Sequence, residues 1–390
     1  MISVRAARAL LRGINPGSLE IREPGRSETF GSGVPHASLE VRDERFWAAL
    51  LGGSKKLGLA YADGWWDSDD LTTVLRIGAL NLGRLEWARR IATTTSRPFG
   101  LMADGGASRD RANIASHYDT GNDFFSLFLD ETLTYSSGLF EPSAIDLKAA
   151  QLAKIDRLCA KLNLGPGDQV LEIGTGWGSF ALRAAKTHGC HVTTTTISAE
   201  QYAYTKAAVS EVGLDQNVTV IDEHWRDLSG RYDKLISVEM IEAFDWRDLG
   251  TYFEKCSSLL RPSGLMALQA ITITDQRYDR AKRTNDFIRA QIFPGGCLPS
   301  VAAILAATTS ETDLSLVDLR DIGPHYATTL RHWRENFASA ADEATQLGFG
   351  KRDQRMWNFY FAYCEAAFLE RQISDVQMLF AKPDWRAGDR

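Results

Sequence analysis

From about residue 145 the chain alternates between two hydrophobic periods. Residues 147 to 162 place Leu152, Ile155, Leu158 and Leu162 on one side of a helix and Lys154, Arg157 and Lys161 on another. That charge run reads as a solvated face, with a membrane-facing role as the alternative. The turn GPGDQ (165 to 169) follows, and VLEIG (170 to 174) reads as a short buried strand. Further strands are expected at HVTTTTI (191 to 197), NVTVID (217 to 222), KLISVEM (234 to 240) and GLMALQAIT (264 to 272), separated by helix-length segments. This rhythm predicts an α/β fold, a largely parallel sheet covered by helices on both faces. A ligand belongs in the crevice at the carboxyl ends of the strands.

The first hundred residues read differently, as short strand-like and helical pieces with a turn-rich stretch at Pro24 to Gly33 and an aromatic cluster in GLAYADGWWDSDDL (58 to 71). Trp65 and Trp66 there suit core or interface packing better than catalysis. DGGAS (104 to 108) reads as a linker. At the start, Arg5, Arg8 and Arg12 lie beside Ile2, Val4, Leu10 and Leu11. A packed terminal helix is the simpler reading and a surface-seeking amphipathic helix the other. Near the end, Trp357, Tyr360, Phe361, Cys364 and Phe368 make a helical stripe that suits core packing or the wall of an acyl-chain site.

Charge and composition narrow the function. A net charge of -6 argues against nucleic acid as the main partner, since backbone-phosphate binding needs a basic face. Five cysteines without a CxxC spacing suggest neither a zinc site nor a disulfide framework, so no metal is expected and a reducing cytoplasm fits. No apolar run of spanning length and no cleavable signal is expected.

The strongest local signal is VLEIGTGWGSFALRAA (170 to 185), a strand that ends in Gly174, Thr175, Gly176, Trp177 and Gly178 and passes into a helix. Glycines there let a nucleotide-like ligand approach the main chain. The spacing departs from GxGxxG, and the second strand ends in Thr196 and Ser198 where a dinucleotide enzyme has a ribose-binding acid. NAD is therefore disfavoured.

With HYDTGNDFFSLFLDETLTYSSGLF (117 to 140) upstream, and TISAEQ (196 to 201), DFIRAQIFPGGCLPS (286 to 300) and HYATTLRHWRENF (325 to 337) downstream in order, the sequence resembles the cyclopropane-fatty-acid synthase and mycolic acid methyltransferase family. The resemblance covers nearly the whole chain. It implies a Rossmann-like class I methyltransferase sheet with helical additions in residues 104–390, and a smaller N-terminal lipid-handling domain in residues 1–103. It implies S-adenosylmethionine as cofactor, with Tyr135 and Ser136 closing over it and Gly174 and Gly176 at its methionine portion. Thr196, Ile197 and Gln201 would lie near the ribose, and Trp225 in EHWRD (223 to 227) beside adenine. The N-terminal aromatic stretch resembles that of members acting on phospholipids, so the implied partner is an unsaturated phospholipid at the inner membrane surface, approached peripherally from the cytoplasm. A homodimer is compatible with the resemblance.

The implied reaction is transfer of a one-carbon unit to a cis double bond through a carbocation. Aromatic faces stabilise such a charge, and Tyr278, Phe287 and Tyr326 are candidate walls. The family's base is a bound bicarbonate. By motif, Glu242 in VEMIEAF (238 to 244) and Tyr326 would hold it, with Ser137, Gln269 and Ile271 as the other contacts. Ser137 stands where the best-studied bacterial members have cysteine, and Gln269 and Ala243 where they have histidine. Gln269 hydrogen-bonds but does not titrate near neutrality. A cyclopropane product is expected first. The alternatives are a methylene- or methyl-branched chain or a methylated diene, a small-molecule N- or O-methyltransferase, and a non-catalytic lipid- or cofactor-binding protein.

Overall fold

The computed structural model describes residues 2–84, 121–141 and 146–388. These divide into two units: 2–84 with 285–294 and 330–372, and 121–141 with 146–284, 295–329 and 373–388. The N-terminal unit is thus completed by chain from far downstream. The expected linker at 104 to 108 and residues 117–120 of the upstream motif lie outside the described residues.

In the first unit, β1 (Gly17–Glu23) and β2 (Arg26–Ser32) form an antiparallel hairpin in register from Gly17↔Ser32 to Glu23↔Arg26. Strand β3 (His36–Val41) runs parallel to β1, and β4 (Trp66–Asp67) closes the order β2-β1-β3-β4. Most of the turn-rich stretch 24 to 33 is therefore strand. Only Phe30 of β2 is buried, and the remaining polar residues suit a solvent-facing edge strand. The turn itself is Pro24 and Gly25, the latter at φ +73°.

The N-terminal helix Ile2–Leu11 packs: Ala7, Leu10 and Leu11 are buried, and Arg8 pairs with Glu23 and Glu28 with its guanidinium 4.7 Å from the Trp47 ring. Trp66 is fully buried and donates to the Leu57 carbonyl at 3.1 Å, while Trp65 stacks under Arg45. The helix Lys351–Leu369 packs on Leu71–Leu80 and Gly53–Ala62. Trp357, Tyr360, Phe361 and Phe368 are buried and Cys364 is half-buried, as core packing requires.

The second unit holds a seven-stranded sheet of β5 (Gln169–Ile173), β6 (His191–Thr195), β7 (Val218–Ile221), β8 (Tyr232–Val238), β9 (Leu260–Ile273), β10 (Ser315–Asp321) and β11 (Ile373–Ala381). The order is β10-β11-β9-β8-β5-β6-β7, parallel from β9 to β7, with β11 antiparallel to β9 and β10 antiparallel to β11. Strand order reverses at β5, between β8 and β6, which opens a crevice at their carboxyl ends. Residues alternate between two cores: Leu171 and Ile173 of β5 join Leu268, Phe253 and Phe380, while Val170 faces Ile155, Leu158 and Phe180. Each such side chain contributes about 1.5–3 kcal/mol on burial.

Truncating a residue at the centre of this sheet should be costly. Leu268→Ala is expected to lower the unfolding free energy by about 2–5 kcal/mol, read from the denaturant midpoint at constant m.

Candidate active site

Beyond β5 the chain makes three left-handed glycines, Gly174 (φ +99°), Gly176 (φ +53°) and Gly178 (φ +87°), before the helix Ser179–His188 begins. The N–H groups of Gly174 and Thr175 donate to the Thr195 carbonyl at 3.1 and 3.0 Å, fixing the loop to the end of β6. Among the described residues, nothing lies within 4 Å of where a Cβ on Gly176 would stand, and buried Thr175 Oγ1 has no hydrogen-bond partner. An open, backbone-lined cradle with an unsatisfied hydroxyl fits a nucleotide-like cofactor.

Trp177 Nε1 donates to Asn122 Oδ1 at 2.7 Å, and its ring lies 5.0 Å from Phe125, tying segment 121–141 to the loop. Tyr135 packs against Phe125 and Phe128, and buried Ser136 accepts from Lys154 Nζ. Thr196 is buried and donates to Gln201 Oε1 at 2.8 Å, with half-buried Ile197 between them in sequence. Trp225 is buried 5.2 Å from Tyr252 and 5.6 Å from Phe244.

A polar cluster lies at the ends of β8 and β9, next to this loop. A Cβ on Gly174 would meet Met240 Cγ at 3.1 Å, so the residues just after β8 touch the glycine turn. Directly before Met240, Glu239 adopts φ +48° and receives three donors: Tyr326 OH at 2.7 Å, Gln269 Nε2 at 2.8 Å and the Ser137 N–H at 2.9 Å. Gln269 is held in turn by Gln377, its cross-strand partner in the β9–β11 register, which donates to its Oε1 at 3.0 Å; Gln269 Nε2 also reaches Asp375 at 3.0 Å. Lys154 is fully buried against the same acids, and burial pulls its ammonium down to about 8 although Glu239 and Asp375 oppose this. Burial and the adjacent Glu239 raise Asp375 well above the carboxylate range. On β5, burial pushes Glu172 up to about 8 while Thr194 donates to it at 2.7 Å.

The sequence profile of mycolic acid cyclopropane synthetase matches residues 106–378. The chain belongs to that family. It is 42% identical over 323 residues to tuberculostearic acid methyltransferase UfaA1 of Mycobacterium tuberculosis, covering 80% of this chain and 75% of that one. It is 36% identical over 358 residues to cyclopropane-fatty-acyl-phospholipid synthase of Escherichia coli K12, covering 90% and 89%. Mycolic acid cyclopropane synthase CmaA1, solved with SAH and CTAB, aligns with a TM-score of 0.66 and 30% identity, covering 70% of this chain and 98% of that one. As a cyclopropane synthetase family member with a class I methyltransferase sheet, the chain is an S-adenosylmethionine-dependent methyltransferase.

Against the family pattern, the expected anion site is rearranged. Ser137, Gln269 and Tyr326 do converge, but on Glu239 and not on Glu242. Glu242 instead accepts from the Ile271 N–H, and among the described residues its buried Oε2 has no partner. Burial, with the Glu239 charge beside it, pushes Glu242 up to about 8. A separate bicarbonate does not fit here: the three donors that would hold it are given to a resident carboxylate, which would also repel it. Lys154 corrects a second expectation, since it lies in the core and not on a solvated face. Leu147, Gln151, Lys154 and Leu158 form one helical stripe, all buried, and that spacing was the available signal. Of the candidate walls, Tyr326 joins this cluster and Tyr278 is half-buried beside Lys282, whereas Phe287 belongs to the other unit, packed 4.8 Å from Phe359.

Two measurements check the site. Gly176→Val puts a β-branched residue at φ +53° and fills the open cradle, so cofactor affinity by calorimetry should fall at least about tenfold while the protein stays folded. For Glu242, the folded state keeps a proton that the unfolded chain loses above about 4.5, so its stabilising contribution declines as pH rises towards about 8. Glu242→Gln removes that titration, so its melting temperature relative to the parent should climb between pH 5 and 8 and then level. The titration of Glu172 is common to both proteins and cancels.

Proposed function

We propose that the protein transfers a one-carbon unit from S-adenosylmethionine to the cis double bond of an unsaturated acyl chain in a phospholipid and closes a cyclopropane ring. The observation that carries this reading is the convergence of Ser137, Gln269 and Tyr326 on the carboxylate of half-buried Glu239 beside the glycine loop, an arrangement suited to removing a proton next to a methyl donor. When bound, S-adenosylmethionine supplies an electrophilic methyl group and leaves positive charge on the acyl chain. An alkene is a weak nucleophile, so the chain's own work is orientation and exclusion of water. Phe125 packs on Trp177 of the loop and Tyr135 packs on Phe125, and the buried ring of Tyr326 presents an aromatic wall.

A phospholipid substrate is supported by the match to the Escherichia coli synthase, which runs through both units, whereas the family profile begins only at residue 106. The N-terminal unit would then handle the lipid, at the membrane surface. Among the described residues no helix is long and apolar enough to cross a membrane. A second reading, methylation without ring closure, is favoured by the 42% identity to a tuberculostearic acid methyltransferase.

Incubating the protein with labelled S-adenosylmethionine and vesicles of mono-unsaturated phospholipid should place label in the acyl chains, with cyclopropane protons in the NMR spectrum. An exomethylene or methyl-branched product would select the second reading. Absence of label from lipid would overturn both.

A further inference from the structure

This inference rests on the acyl-methylation reading and concerns where the proton goes. Ring closure requires the new methyl group to lose a proton, and the base must stand within reach of the methyl donor. Glu239 follows β8 directly, next to Met240, whose side chain abuts Gly174. Its left-handed backbone is unusual for a residue with a long side chain, and its N–H is tied to the Gln269 carbonyl at 2.8 Å. Three donors from three elements, segment 121–141, β9 and the helix Gly323–Ser339, meet on its carboxylate. The family expectation assigned those same donors to bicarbonate. We propose that the Glu239 carboxylate is the base of this enzyme and stands in for the bound bicarbonate.

In the step itself, one C–H bond of the transferred methyl breaks and its electron pair forms the bond to the cationic carbon that closes the ring. The proton passes to a Glu239 carboxylate oxygen, giving a neutral carboxylic acid, which returns it to water once the product has left. No oxidant, reductant or second anion is consumed. Ser137, Gln269 and Tyr326 are positioning residues that aim the carboxylate. The neighbouring acids do not compete, because burial holds Glu242 and Asp375 towards their neutral forms.

The test compares the parent protein, Glu239→Gln and Glu239→Gly on mono-unsaturated phospholipid vesicles in buffer freed of carbon dioxide, then with added bicarbonate or formate. The parent should keep its rate within about twofold without bicarbonate. Glu239→Gln should lose at least a hundredfold in ring formation while binding S-adenosylhomocysteine within a few-fold, which shows that it is folded. Glu239→Gly, which vacates the three donors, should regain at least tenfold on adding either anion, a rescue that a purely structural role would not give. Parent activity that collapses without bicarbonate, or Glu239→Gln activity near that of the parent, would overturn the proposal and leave the methyltransferase reading intact. A parent that labels no unsaturated lipid would overturn both.

Discussion

The second unit is organised around one electrostatic constraint: a lysine ammonium and several carboxylates are buried together at the ends of parallel strands, where each must be satisfied by protein groups. Lys154 faces Glu239, Asp375 and Glu172 from the helix Leu147–Leu162. Burial lowers the lysine and raises Glu172, Glu242 and Asp375, so the cluster limits its own charge. The donors Ser137, Gln269 and Tyr326 then settle on a single carboxylate.

The sheet makes this arrangement possible. The β9–β11 register sets Gln269 opposite Gln377 and Asp375 opposite Ile271, which gives the amide of Gln269 a fixed orientation. Parallel pairing of β8 with β5 brings the residues after each strand together, so Met240 meets Gly174 and the acid cluster adjoins the cofactor loop. The same strand order that creates a ligand crevice also places the base beside it.

Much of this frame was legible in the sequence, for reasons that differ by element. Buried parallel strands read as short apolar runs, and the glycine turn announced itself because its backbone angles exclude most other residues. Pro24 to Gly33 misled because an edge strand with one buried residue looks like loop. Lys154 misled because its neighbours Arg157 and Lys161 suggest a polar face, while its own place in the stripe with Leu147, Gln151 and Leu158 points inward. Glu239 and Glu242 are only three residues apart, and motif matching favoured the second. What distinguishes them is the left-handed turn at Glu239, a local conformation that pattern alone does not encode for a glutamate. The completion of the N-terminal unit by residues 330–372 depends on contacts far apart in sequence, which periodicity does not report.

The most direct measurement is a high-resolution crystal structure of the protein with S-adenosylhomocysteine, grown in bicarbonate. The account requires the Glu239 carboxylate within hydrogen-bond distance of Ser137 N, Gln269 Nε2 and Tyr326 OH, with no separate anion among them. A planar three-oxygen ion held by those donors, with the Glu239 side chain turned away, would contradict it.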